Sequence, residues 1–202
     1  LILNRVAECA ATNKRLGSLA HLRYVVVHHT SLSKPGPDNP APVPDDDLDG
    51  PALARIFRDN PKPRPDGLGT GGWCPYHILI GPLGRRELLM PLDAIGAHAP
   101  GYNRQSIAIA VIGDYNREKL SDPAMRALSR TCAEIVMINR GLTIGGHTTT
   151  FAASSDPGKV CPGSNISIPD LHRRVMERLP PHWRYRTAEE VEALLKLGGY
   201  LV

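Results

Sequence analysis

Two runs, "LRYVVVHHT" at 22–30 and "SIAIAVIGDY" at 106–115, constrain this chain more than anything else in it. Their β-branched residues are stiff at χ1 and pack well on a pleated surface, and the near-continuous apolar character predicts strands buried on both faces. The first run ends in two histidines and a threonine, so a buried strand carries polar groups at its end. "YHILIGPLGRRELLM" adds two short strands around a Pro-Leu-Gly turn, a hairpin reading.

Such strands need covering layers, and helical patterns supply them. Residues 122–140 form a predicted helix capped by Ser121 or Asp122, opened by Pro123 and stopped by Gly141. Its apolar positions Met125, Leu128, Cys132, Ile135 and Val136 recur at helical spacing, which makes Cys132 a core residue. "PALARIFRDN" from Pro51, with Asp49 or Gly50 as its cap, and "IPDLHRRVMERL" read as further helices. So does "TAEEVEALLKLGG", with Thr187 and Glu190 at capping-box spacing and Gly198 as its stop. "SLSKPGPDNPAPVPDDDLDG" has five prolines and an acidic run and reads as a long surface loop; "PKPRPDGLGTGG" is loop as well. Strands mixed with helices imply an α/β or α+β layer structure with one sheet and an open, loop-bearing face.

A chain of 202 residues, 42% hydrophobic and 22% charged, suits one domain with a substantial core. No apolar run approaches the roughly 20 residues of a membrane-spanning helix. "LILNRVAECAATNKRLG" lacks the layout of a signal peptide, and a start at Leu1 suits a piece of a longer protein, so localisation stays open. The net charge of +4 is mild and favours acidic partners: nucleic acid, an anionic membrane surface or a polyanionic wall polymer. Four scattered cysteines exclude a disulfide scaffold and, with no C-x-x-C pair, a zinc finger; a Cys9–Cys74 disulfide stays open.

The chemistry-bearing residues lie far apart. His28 and His29 point to opposite strand faces, so one of them at most joins a given site. His147, in "IGGHTTT", follows two glycines where the backbone can turn sharply. "GKVCPG" at 158–163 presents Cys161 before a Pro-Gly turn, and the hexamer alone fits a buried filler, half of a disulfide, a nucleophile or a metal ligand. Each histidine also has a plain reading as a half-buried or loop imidazole. Taken together, two imidazoles and one thiolate are a set that zinc accepts, with a fourth position left for water. They leave a divalent ion with one net positive charge, enough to acidify that water.

The ordered blocks "VVVHHT", "YHILIGPLG", "GAHAPGYNRQSIAIAVIGDYN", "IGGHTTT" and "KVCPG" closely resemble the zinc-dependent N-acetylmuramoyl-L-alanine amidases, which include phage amidases and the animal peptidoglycan recognition proteins. The resemblance runs from about residue 22 to 177. It implies an α/β fold, a central mixed sheet flanked by helices in a single domain, with an N-terminal extension at 1–21, a catalytic domain at 22–180 and a C-terminal helical extension at 181–202. It makes His28, His147 and Cys161 the ligands of one zinc ion (Zn2+) and selects His28 over His29. Tyr76 matches the family's active-site tyrosine and Lys159 its catalytic lysine; His98, Tyr102 and Asn103 read either as lining the substrate groove or as side chains that stabilise their turn. His77 reads as structural. Some relatives use a glutamate where this chain has Ala110, so only the tyrosine/lysine variant of the chemistry carries over.

The implied activity is hydrolysis of the amide between the lactyl group of N-acetylmuramic acid and L-alanine, in an endolysin-like wall-lytic domain or, alternatively, in a muropeptide-recycling amidase. The implied partner is peptidoglycan or a muropeptide, with no nucleic acid, no membrane insertion and a monomeric chain. Two rivals stand beside it. A peptidoglycan-binding module without catalysis typically lacks the ligand cysteine, which is present here. A cysteine amidase with Cys161 as nucleophile and His147 as base would need no metal and leave His28 unused.

Overall fold

The computed structural model describes residues 1–9, 13–31, 48–58, 74–139, 141–151 and 160–180. The expected helix at 187–198 and most of the proline-rich loop lie outside them. Among the described residues the strands form one mixed sheet in the order β1-β4-β3-β5-β2-β6, comprising β1 (Leu3–Asn4), β2 (Tyr24–His29), β3 (Ile78–Ile80), β4 (Arg86–Leu88), β5 (Ser106–Val111) and β6 (Thr143–Gly146). Only β3 and β4 pair antiparallel; they are the expected hairpin. The runs at 22–30 and 106–115 became β2 and β5, which lie side by side in parallel inside the sheet.

Alternation along these strands divides the molecule into two layers. Val25, Val27, Ile107, Ile109, Val111, Ile78 and Ile80 face one way, onto the helices α3 (Asp122–Ile138) and α4 (Ile168–Arg178). Met125, Leu128, Cys132, Ile135 and Val136 of α3 are buried there, as the helical spacing requires. Both helices begin as their sequences predict. Ser121 Oγ accepts from the Ala124 N–H and Ser167 Oγ from the Asp170 N–H, each followed by a proline whose missing N–H costs nothing in a first turn.

The opposite face is built differently. Leu79, Leu89 and Ile112 pack there with α2 (Gly50–Arg58), whose start is capped by Asp49 Oδ1 accepting from the Ala52 N–H. At the centre of this face the side chains are small or polar: Ala108 and Ala110 of β5 stand opposite Val26 and His28 of β2. The alanines leave room above the sheet, and the candidate site occupies it.

Three elements were not legible in advance. The first residues, unassigned by pattern, add β1 in parallel to β4 and a short helix, α1 (Val6–Cys9). Further along, Arg15 grips Asp93, and the Asn13 carboxamide bonds the Cys74 backbone and the Ile95 carbonyl, tying this segment to the loop that leads to His98. The glycines of "IGGHTTT", after which the backbone can turn, are the end of strand β6, and the chain leaves the strand at His147. Their smallness serves packing: a Cβ on Gly146 would lie 2.5 Å from Pro162 Cδ, against the turn that carries Cys161.

Gly163 closes that turn at φ +104, and a Cβ there would lie 2.5 Å from the Tyr115 carbonyl carbon. Backbone strain and a backbone clash act together, so Gly163→Ala should cost about 2 kcal/mol or more. For a chain of this size that is a fall of roughly 4–8 °C in the melting midpoint. An unchanged thermal melt would show that the turn is looser than described.

Candidate metal centre

Strand register brings the two histidines together. In the β2–β6 pair Tyr24 faces Thr143 and Val27 faces Gly146, so the next residues are His28, still on β2, and His147, the first residue beyond β6. Parallel partners share a face, and the imidazole rings lie with centroids 4.6 Å apart. His29 points to the opposite face, where its Nδ1 accepts the Tyr115 N–H at 3.1 Å. The ambiguity that alternation left between His28 and His29 is resolved by which of them shares a face with His147.

Cys161 arrives from a loop held at several points. Thr148, directly after His147, exchanges backbone and side-chain hydrogen bonds with it: the Cys161 N–H donates to Thr148 Oγ1 at 2.8 Å and the Thr148 N–H to the Cys161 carbonyl at 3.0 Å. The Asn116 carboxamide spans the turn, donating to the Val160 carbonyl and accepting the Ser164 N–H, both at 3.1 Å. One donor atom each from His28, His147 and Cys161 then lies within 4.8 Å of the others. His28 Nδ1 and Cys161 Sγ are 3.6 Å apart. Two ligands on a tetrahedral zinc with bonds of about 2.0–2.3 Å stand roughly 3.4–3.8 Å apart, so this pair is at ligand spacing. The set is soft and nitrogen/sulfur in character, and it fits zinc.

Burial sets the electrostatics. His28 is only 2% exposed. Burial holds its pKa well below the ordinary imidazole value, with His98, His147 and His29 adding in the same direction. His147, half-buried, is lowered by burial too. Both imidazoles are therefore neutral at pH 7, the form that ligates a metal. Burial pushes the Cys161 thiol up to about 11, while the His29 backbone N–H bonding to it pulls the other way. A thiol so raised is a poor free nucleophile and needs a cation to become a thiolate, which weighs against the metal-free cysteine mechanism. Cys9, Cys74 and Cys132 are buried free thiols, each pushed up to about 12 chiefly by burial.

Tyr76 stands beside the triad, its ring centroid 5.1 Å from that of His28. Burial first, then Cys161 and Cys74, raise its phenol pKa. Lys159 lies outside the described residues. His98 and Asn103 are buried, and the groups they use face inward: Asn103 Oδ1 accepts the His98 and Ala99 N–H groups at 2.9 and 2.8 Å, and both His98 ring nitrogens have partners. Tyr102 is half-buried and packs edge-on against Tyr24. His77 is fully buried, with Nδ1 accepting the Ala108 N–H and Nε2 donating to the Ala94 carbonyl, which matches its structural reading. Thr148 and Asn116 escaped sequence reasoning, because single polar residues in loops carry no periodic signal.

Residues 18–164 match the N-acetylmuramoyl-L-alanine amidase family, and the chain belongs to it. In structure it is similar to the N-acetylmuramoyl-L-alanine amidase LysC from Clostridium intestinale, at TM-score 0.60 and 17% identity, over 87% of this chain and 97% of that one. It is also similar to the Ph2119 endolysin of a Thermus scotoductus bacteriophage, at TM-score 0.58 and 22% identity, over 87% and 99%. Likeness at such identities establishes the fold. In sequence, a peptidoglycan recognition protein of Trichoplusia ni is 40% identical over 68 residues, 32% of this chain and 37% of that protein. Peptidoglycan-recognition protein SC2 of Drosophila melanogaster is 30% identical over 97 residues, 47% and 51%. The chain thus spans about a third to a half of the length of these curated relatives.

Five imidazoles with lowered pKa values make stability depend on pH. Burial takes His77 down to about 4 from 6.5, and His28, His29, His98 and His147 are lowered as well. Below about pH 6.5 the unfolded chain binds protons that the folded chain refuses, so this stability is present above that pH and is lost as pH falls toward 4. His77 alone accounts for about 3 kcal/mol over the full window. The urea midpoint of metal-free protein should therefore drop clearly between pH 7 and pH 5; a flat profile would contradict the buried, neutral assignment.

Proposed function

We propose that this domain is a zinc-dependent amidase cleaving the bond between the lactyl group of N-acetylmuramic acid and the L-alanine of the peptidoglycan stem, in an endolysin-like, wall-lytic role. The observation that carries this reading is the close approach of His28, His147 and Cys161, within 4.8 Å of one another, in a chain whose family is defined by amidases. Zinc held by these three residues supplies a Lewis acid that acidifies water and polarises an amide carbonyl.

The chain's own groups do the rest. His147, Cys161 and Tyr76 are half-buried while His28 is buried, so substrate approaches from one side and the opposite side is sealed by protein. Negative charge develops on the carbonyl oxygen as water adds, and the Lys159 ammonium, two residues before Cys161, is the cation assigned to it. Tyr76, its phenol kept protonated by burial, orients water or the tetrahedral intermediate by hydrogen bonding and is no base near neutral pH. The C–N bond then breaks, leaving a lactyl carboxylate and the free amino terminus of L-alanine. Ala110, fully buried opposite His28, offers no carboxylate, which leaves the lysine and tyrosine as the groups that assist.

The recognition proteins among the relatives favour a second reading, binding of peptidoglycan without hydrolysis. Retention of all three donors at one point weighs for the enzyme. Digestion of purified peptidoglycan separates the two: new L-alanine amino termini that appear with zinc and vanish after chelation support the amidase, and binding without new termini supports the module.

Two substitutions test the residue roles. Cys161→Ser replaces a soft anionic donor with a neutral hydroxyl and should cut zinc affinity sharply; stoichiometric zinc surviving dialysis against chelator would sink the ligand assignment. Lys159→Ala should leave zinc content and melting temperature nearly unchanged while turnover falls by about 10²-fold or more, the scale of losing one preorganised oxyanion donor. Near-wild-type stem-peptide release at equal zinc occupancy would show Lys159 to be a solvated loop residue.

A further inference from the structure

A chain of hydrogen bonds runs from His28 away from the metal site. His28 Nε2 lies 2.9 Å from His98 Nδ1, His98 Nε2 lies 3.2 Å from Ser106 Oγ, and Ser106 Oγ donates to the Tyr102 carbonyl at 2.7 Å. His28, His98 and Ser106 are all buried, at 2%, 8% and 1% exposure. The last member sets the direction. A backbone carbonyl only accepts, so the Ser106 hydroxyl spends its single proton on Tyr102. Ser106 Oγ must then accept the N–H of His98 Nε2. A neutral imidazole has one N–H, so His98 Nδ1 is an acceptor, and the only proton it can take up in this contact is the one on His28 Nε2. That leaves His28 Nδ1 bare, and His28 Nδ1 is the atom 3.6 Å from Cys161 Sγ.

We propose that His98 is a positioning residue that holds His28 in its Nε2–H tautomer and so presents the Nδ1 lone pair to the metal. The proposal rests on the zinc reading for its consequence, though the tautomer itself needs no metal. The surroundings are built for the task. Asn103 Oδ1 accepts the backbone N–H groups of His98 and Ala99, fixing where the ring begins. The rings of His28 and His98 cross nearly perpendicular, at 88° with centroids 5.0 Å apart, so one nitrogen of each meets the other edge to edge. Ala108, between Ser106 and Ala110 on the same face of β5, supplies the space a bridging imidazole needs. These hydrogen bonds end on the Tyr102 carbonyl, which accepts and cannot donate, so they orient the ring. Ligating histidines are commonly fixed this way through their second nitrogen, and loss of such a partner costs about 10–100-fold in metal affinity.

The test uses the full chain with ¹⁵N-labelled histidine. Long-range ¹H–¹⁵N correlation on metal-free wild type at pH 7.5 should show His28 protonated at Nε2 and bare at Nδ1. His98→Leu, which fills the space without an acceptor, should give mixed His28 tautomers and bind zinc about 10–100-fold more weakly in chelator competition. His98→Asn, which can offer its carboxamide oxygen near the position of Nδ1, should recover most of that loss, a rescue that bulk packing does not predict. A metal-free wild type with His28 protonated at Nδ1 overturns the proposal even where the Leu variant fails to fold. So does a folded His98→Leu protein that binds zinc as tightly as wild type. Wild type that binds no zinc at all would instead defeat the zinc reading, with the tautomer still decided by the spectrum.

Discussion

The site depends first on the parallel register of β2 and β6. With Val27 opposite Gly146, the next residues are His28 on β2 and His147 just beyond β6. The ladder delivers the chain to that point, and the ring of His147, the first residue after β6, lies 4.6 Å from that of His28. A one-residue slip would move every side chain of β2 to the other face, setting His29 beside His147 and turning Val25 and Val27 away from α3 and α4. Register is therefore held by the whole apolar face, and with it the place of His28.

The same placement has a cost. His28, His77 and His98 are nearly excluded from water, and each must be neutral and hydrogen-bonded to be tolerated there. His77 meets that demand with two backbone partners, His98 with His28 and Ser106. The polar cluster displaces apolar packing at the centre of one sheet face, where Ala108 and Ala110 stand in place of larger side chains. The fold sets against this a continuous apolar layer on the other side. Stability and chemistry are divided between the two faces of one sheet, and fall of pH attacks the chemical face first.

Much of the architecture was legible in residues because it obeys a period. β2 and β5 announce themselves as unbroken apolar runs, and α3 and α4 carry a serine cap, a proline in the first turn and apolar residues at helical spacing. β1 and β6 did not, since a two-residue strand and a glycine-rich one carry no alternation to detect. The packing role of Gly146 was hidden for a related reason: its smallness admits Pro162 and the Cys161 turn, and only the three-dimensional approach reveals that. The triad was half legible. Alternation separated His28 from His29 without choosing between them; family resemblance chose, and register supplies the physical reason. For His98, Tyr102 and Asn103 a groove lining and a turn-stabilising role both stood open, and the buried hydrogen bonds of His98 and Asn103 lie within the protein, a direction of pointing that spacing in a loop does not encode. Asn116 and Thr148, which clasp the Cys161 turn, were invisible for the same reason.

On the proposed reading, three distant residues, His28, His147 and Cys161, form one zinc site. X-ray absorption at the zinc edge of the purified chain tests it most directly. One sulfur at about 2.3 Å and two imidazole nitrogens at about 2.0–2.1 Å, at one zinc per chain, is the predicted result. Protein that takes up no zinc, or a bound zinc whose spectrum contains no sulfur, would contradict it.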